Sequence, residues 1–561
     1  RRDLARCGHR FATQSDTEVI VHLYEEHGDR FVEHLNGQFA IAVWDARRRR
    51  LVLARDRCGV RPLYHRHAGG RLWFGSEIKA LLAGAPGAAR LDPFSLAQAF
   101  TYWGPVAPGS VFAGVASLPP GHTLAIEADG RETLARYWDW NFPPAGTAAR
   151  WPSVEHAAGE LRELLTDAVR LRLRADVPLG AYLSGGLDSS AVTALMRATG
   201  TDQLRTYSIA FDDAEFDESA QQQQMVRHLG CAHTALRCTP REIGNAFPAF
   251  IRHVEQPVLR TAGVPLMLLA RQVREDGRKV VLTGEGADEV LAGYDLFKEA
   301  KVRRFWARQP ASRFRPLLLG RLYGYLRNSP VQHAAMAQAF FGRGMQHLSR
   351  PVFAHAPRWE SSRHALRFLA PELRASLAGW DALDWYEARL PAAIRGWAPL
   401  ARDQYVEAKS LLADYLLPAQ ADRPAMAHGV EGRFPFLDHR VIEFANALPP
   451  HWKLRALREK DILRRALDGL LPPAIQWRTK QPYRAPDQSS FFVGGQPLDY
   501  VADLMSPARL RATGYFDAAA VGRLVEKCRR GHAIGFADNQ AFVGILATQL
   551  LDEHFVRQAA A

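Results

Sequence analysis

Two short runs hold the side chains best suited to handling phosphate and protons: Leu183-Ser-Gly-Gly-Leu-Asp-Ser-Ser190 and Thr283-Gly-Glu-Gly-Ala-Asp-Glu289. In the first, small residues let the backbone come close to an anion. Successive N–H groups opening a helix there form a positive cradle for phosphate, and two serine hydroxyls add donors. A carboxylate among phosphate-binding groups would repel the anion, so Asp188 makes chemical sense as a ligand for Mg²⁺. The run is not a Walker A loop, because GxxxxGK[ST] is absent. In the second run Glu285, Asp288 and Glu289 offer carboxylates for metal binding and proton transfer. A Gly-Glu-Gly turn alone is ordinary; its pairing with the first run gives it weight.

Each run follows an apolar stretch, Val177–Leu183 in one case and Lys279–Thr283 in the other, and Leu204–Phe211 reads as a further strand. Val154–Arg174 carries Leu161, Leu164, Leu165, Ala168 and Leu171 at helical spacing, and a helix is expected over Ser190–Thr199. Strands alternating with helices predict a doubly wound parallel α/β sheet, with both loops at strand C-termini facing one crevice. Residues 300–470 read as mostly helical. The first segment, to about residue 140, reads instead as short antiparallel strands. Gly37–Asp45, Leu51–Asp56, Pro62–His65 and Arg71–Gly75 are strands, with a helix over Thr17–Glu26, which suggests an α+β sandwich. The Pro-, Gly- and Ala-rich stretch 141–152 is the expected linker, giving domains at 1–140 and 153–555.

At 561 residues the chain has room for two or more domains, and 47% hydrophobic with 23% charged residues is a globular balance. No run approaches the ~18 apolar residues of a membrane-spanning helix. The five cysteines are scattered, without a CxxC pair, which argues against a disulfide framework or a zinc site. His233, His253 and His428 show no metal-ligand spacing. The formal charge of +13 could point to nucleic acid, but only nine of the 72 basic residues are Lys and the arginines are dispersed. Arg47-Arg-Arg-Arg50 reads as a hairpin turn, so no nucleic-acid partner is expected. The mix of Arg, Trp and Leu over 301–330 is read as an ordinary amphipathic helix rather than a membrane-surface one. Without an apolar leader behind Arg1-Arg-Asp-Leu, a cytoplasmic protein is expected.

The first run resembles the pyrophosphate loop of the ATP-pyrophosphatase superfamily. Together with Thr283–Glu289 and Asp422-Arg-Pro-Ala-Met-Ala-His-Gly-Val-Glu-Gly-Arg-Phe-Pro-Phe-Leu-Asp-His439, it resembles the glutamine-hydrolysing asparagine synthetases. Ser15–Glu18, Asn36–Ala40, Arg55–Tyr64 and Ser76–Leu82 resemble that family's N-terminal glutaminase. Leu118–His122 and Tyr137-Trp138 resemble its domain junction, and Trp477-Arg-Thr-Lys480 resembles its lysine-bearing loop. The resemblance implies an Ntn-type glutaminase sandwich followed by a synthetase domain with a helical C-terminal part. It implies formation of asparagine from aspartate through an acyl-adenylate, with AMP and pyrophosphate as products. Residue by residue, it puts Leu183, Ser184, Gly185, Gly186, Asp188, Ser189, Ile209, Thr283 and Gly284 on ATP, and Asp188 and Asp288 on Mg²⁺. Glu285 and Lys480 match its catalytic acid and lysine.

The glutaminase half is expected to be incomplete. The family's N-terminal Cys-Gly-Ile nucleophile, its arginine and its Asn-Gly-Glu loop have no counterpart, and the chain opens on Arg1, as if an upstream segment were missing. Cys7-Gly8 lies too close to Ser15-Asp16 to be that nucleophile and is read as structural; only Asp16 matches a glutamine ligand. The chain as given is therefore expected to use ammonia. Two alternatives stay open: amidation of another carboxylate, such as a surface-polysaccharide sugar acid or a peptide, and a catalytically silent scaffold. The oligomeric state is also open, with a homodimer as one outcome.

Overall fold

Ala40–Asp45 (β1) turns and returns antiparallel as Arg50–Arg55 (β2). The turn forms because Asp45 Oδ1 accepts N–H bonds from Arg47 and Arg48, at 3.1 and 3.0 Å. Tyr64–Ala68 (β3), Arg71–Gly75 (β4) and Ala116–Ser117 (β5) make a three-stranded antiparallel sheet in the order β4-β3-β5. His122–Ile126 (β6) and Glu132–Arg136 (β7), neither predicted, complete a second sheet in the order β1-β2-β6-β7. Strand β2 is apolar on both faces because both are covered. Val52 and Ala54 pack with Leu23, Tyr24, Phe31 and Val32, whereas Leu53 packs with Leu63, Leu118 and Leu124. Arg55 and Asp56 are buried and structural. Arg55 donates to the carbonyls of Gly59, Arg61 and Leu118, and Asp56 accepts from the backbone of Cys58, Val60 and Arg61. Cys7, expected to be structural, is exposed.

The computed structural model describes residues 1–201, 203–325, 333–532 and 535–557. They form two compact units. One comprises Arg1–Gly87, Ala107–Ser110 and Gly114–Trp140; the other comprises Ala88–Val106, Val111–Ala113 and Asn141–Ala561. The stretch 141–152, expected as a linker, falls in the second unit, with Phe142 and Trp151 buried.

The second unit holds a five-stranded parallel sheet of Leu179–Tyr182 (β8), Arg205–Ala210 (β9), Ala232–Arg237 (β10), Val280–Leu282 (β11) and Glu431–Arg433 (β12). Its order is β10-β9-β8-β11-β12. Strand order reverses between β8 and β11, and an open sheet of this kind leaves its crevice beyond the carboxyl ends of those two strands. The sequence reading missed β10, a part-exposed edge strand with three polar residues in six, and β12, three residues too short to show a period. The helix after β8 spans Leu187–Ala198, three residues earlier than predicted, because Gly186 takes the extended backbone of an N-cap. Asp188 and Ser189 therefore lie in its first turn. Within 301–330, a helix ends at Ala307 and a short turn covers Arg315–Arg321; residues 326–330 lie outside the described residues. Arg303 and Trp306 of that helix are buried, whereas Lys301 and Phe305 are exposed, so its aromatic and basic residues divide between the core and the surface.

Candidate active site

The first loop is shaped by contacts only glycine permits. Gly185 has φ +76°, and a Cβ there would sit 2.7 Å from the backbone of Gln221 and Gln222. Gly284, in the second loop, lies so close that a Cβ would meet Asp188 at 2.7 Å. The two loops are thus in van der Waals contact at the switch point. The serines knit the first loop: Ser184 N–H donates to Ser189 Oγ at 3.1 Å, and Gly186 N–H donates to Ser184 Oγ at 3.2 Å.

One pocket collects Leu183, Ser184, Gly186, Asp188, Ser189, Ile209, Thr283, Gly284, Glu285, Asp288 and Lys480. Of the residues assigned to nucleotide, only Gly185 is not on its wall, and its carbonyl accepts from Arg478 at 3.3 Å. Asp16 is not part of this site; it is exposed at the start of the helix Glu18–His27 in the first unit. Glu289 does not reach the crevice either. It is fully buried, accepts a 2.9 Å hydrogen bond from the Tyr294 hydroxyl, and burial, followed by Asp288, pushes its carboxyl well above the ordinary value.

At the centre two lysines meet two aspartates. Lys480 Nζ lies 3.3 Å from Asp188 Oδ2 and 2.6 Å from Asp288 Oδ2. Lys460 Nζ lies 2.5 Å from Asp188 Oδ1 and 2.6 Å from Asp288 Oδ1. Burial works to raise the Asp288 carboxyl, but Lys460 and Lys480 outweigh it and hold the group below its ordinary value. Burial works against the Lys480 ammonium, and Asp288 and then Asp188 more than reverse that. Glu285 has no such ion-pair partner among the described residues: desolvation, followed by the Asp288 charge, pushes it up to about 7.

Lys460 had no signal in the sequence. It stands in Arg458-Glu-Lys-Asp461 with left-handed backbone, φ 53° and ψ 34°, and is 1% exposed. Only the fold shows that Glu459, Lys460 and Asp461 of this charged run are internal. Glu459 accepts from the backbone N–H of Lys480 at 2.9 Å and from Arg464 at 2.8 Å, and it pairs with Lys298 at 2.8 Å. It thereby ties the Lys480 loop to the protein interior. Arg478 pairs with Glu218 at 2.7 Å beside the first loop. Tyr182, Tyr207, Phe211, Phe216 and Tyr483 supply the aromatic part of the wall.

Magnesium is implied by the resemblance, and the donors fit it. Two carboxylates converge from facing loops, all donors are oxygen, and each of the four oxygens carries one ammonium, which leaves it a further lone pair.

Comparison with known proteins gives the chain its setting. The family model described as Asparagine synthase matches residues 160–552, and that of a Glutamine amidotransferase domain matches residues 1–138. Among curated relatives, Asparagine synthetase [glutamine-hydrolyzing] 3 of Bacillus subtilis is 31% identical, over 86% of this chain and 73% of its own length. Amidase chyE of Penicillium rubens is 30% identical, over 94% of this chain and 80% of its own. Amidase chry2 of Gibberella zeae is 28% identical, over 91% of this chain and 78% of its own.

Proposed function

The chain belongs to the asparagine synthase family, and from that premise we propose that it is an ATP-dependent amidotransferase that activates a carboxylate as its adenylate and converts it to an amide. Aspartate is the first acceptor to test. The observation that carries this reading is the square of Lys460, Lys480, Asp188 and Asp288 beside a glycine–serine phosphate loop. An acceptor carboxylate oxygen attacks the α-phosphorus, and the bridging oxygen leaves with pyrophosphate. Lys460 and Lys480 turn their charge from the aspartates to the phosphates and stabilise the negative charge that grows there. Magnesium, held by Asp188 and Asp288, would supply further neutralisation of the triphosphate. Ammonia then attacks the acyl carbon, the bond to AMP breaks with its electron pair, and Glu285 takes the proton that the new amide nitrogen sheds. A carboxyl near pH 7 is suited to that exchange.

A second reading keeps the chemistry and changes the acceptor. Two of the most similar curated relatives carry the name amidase rather than asparagine synthetase, which supports testing carboxylates other than aspartate. Acceptor-dependent ATP–pyrophosphate exchange, with amide formation measured beside it, tests both. Exchange with aspartate and asparagine formed from ammonium support the first reading. Exchange with another carboxylate but not aspartate moves the chain to the second. No acceptor-dependent exchange in a chain that still binds ATP sinks the adenylation chemistry.

A further inference from the structure

Among the described residues, one cluster of metal-ligating side chains stands in the first unit, apart from the crevice residues. His9 lies just beyond the short helix Arg2–Arg6, and His22 lies on the helix Glu18–His27. Their Nδ1 atoms are 3.0 Å apart, and Glu25 Oε2 is 3.5 Å from each. Tetrahedral zinc with bonds of ~2.0–2.1 Å spaces its ligand atoms ~3.3–3.5 Å apart, so this triangle needs only a few tenths of an ångström of adjustment. His22 and Glu25 are three apart on one helix and so share a face.

A second contact points the same way. His9 Nε2 is 2.7 Å from Glu26 Oε1. A carboxylate there draws the His9 proton onto Nε2 and leaves Nδ1 as a bare lone pair, as in histidines that ligate metal with one nitrogen and donate with the other. The His9 and His22 side chains are 13% and 16% exposed, and the Phe11 ring packs edge-on against His22. Their positions are set by packing, whereas Glu25 stays 59% exposed and leaves an open approach.

We propose that His9, His22 and Glu25 bind one first-row divalent cation of borderline softness, zinc foremost, with Glu26 orienting His9. Two imidazole ligands disfavour magnesium and calcium. Such an ion would pin the chain before Ser15 onto the helix that follows it. Without an ion, the same geometry is a hydrogen bond from His22 Nδ1–H to His9 Nδ1, and the experiment has to separate the two.

The full 561-residue chain, stripped with chelator and dialysed, is titrated with Zn²⁺ and, for its visible absorption, Co²⁺. The expected result is one ion per chain with an intense tetrahedral Co²⁺ spectrum. His9→Gln and His22→Gln each weaken binding by ~100-fold or more. Glu26→Gln, which removes no ligand, weakens it ~10–100-fold. Circular dichroism without metal checks folding; if a histidine variant does not fold, Glu25→Gln, at an exposed position, carries the test. No stoichiometric ion on the wild-type chain would leave only the hydrogen-bonded pair and overturn the proposal. Equal binding by the wild type and the folded variants would place the ion elsewhere and overturn it too.

Discussion

Lys460 and Lys480 reach the same two aspartates, yet their neighbour Glu285 has no ion-paired cation among the described residues, and that difference separates their proposed roles. Lys480→Ala removes charge from the α-phosphate and is expected to cost ~10²–10³-fold in acceptor-dependent pyrophosphate exchange, with amide formation falling in parallel. Glu285→Gln keeps shape and hydrogen bonding but removes the base, so amide formation falls ~10²–10⁴-fold while more of the exchange survives. Equal loss of both activities in the Glu285 variant would move this residue to the adenylation step. Away from the crevice, Lys453 is 1% exposed, its Nζ is 5.4 Å from the Phe142 ring centroid, and no carboxylate among the described residues pairs with it. Burial alone pulls its amine down to about 7 from an ordinary 10.5. The folded chain therefore binds this proton more weakly than the unfolded one. The cost to stability is absent above about pH 10.5, grows as pH falls, and levels off below about 7. Lys453→Met is expected to stabilise the chain by roughly 1–4 kcal/mol at pH 7 and by almost nothing near pH 10. Denaturant melts at both pH values check this, and a pH-independent gain would show that packing, not the charge, is responsible.

At the scale of elements, the crevice depends on how closely two strand-end loops approach. Gly284→Ala would put a methyl group 2.7 Å from Asp188 and 2.8 Å from the Ser189 backbone nitrogen, with no flexible side-chain end to give way. The start of the helix Leu187–Ala198 would have to shift. A loss of ~1–3 kcal/mol in stability is expected, with a larger proportional loss in ATP–pyrophosphate exchange. Unchanged exchange would mean that the contact between the loops is not needed. The same elements show how far pattern reading reaches. The stretches around β8 and β11 were legible because strands covered on both faces are runs of apolar residues, and that around β9 because Thr206, Tyr207, Ile209 and Phe211 are strand-favouring types. Glu431–Arg433 was recognised as part of a motif but not as a strand: two of its three residues are charged, and only pairing with Val280–Leu282 makes it extended.

For the whole molecule, the proposed nucleotide site would link scattered segments. The pocket wall draws on the loops near residues 183–189 and 283–288, on Tyr207–Gln222, on Glu459–Arg464 and on Arg478–Tyr483. Saturating ATP at about 100 times its dissociation constant should add ~2.7 kcal/mol to the apparent stability of whatever it holds in place. Hydrogen exchange is expected to slow together in those five segments. Slowing confined to other segments would put the nucleotide elsewhere. The sequence alone determined the glycine–serine loop, the acids beside it and the parallel α/β sheet, because glycines, carboxylates and apolar runs act through their own backbone and their near neighbours. It also supported Lys480, through the residues around it. Tertiary structure alone decided that Lys460 shares both aspartates, that Glu459 holds the Lys480 loop, that Glu289 turns into the core, and that His9 meets His22. Those pairings join residues far apart in the chain or on different elements. Whether a charged side chain faces water or a buried partner depends on which elements pack around it, and no local pattern of residue types records that.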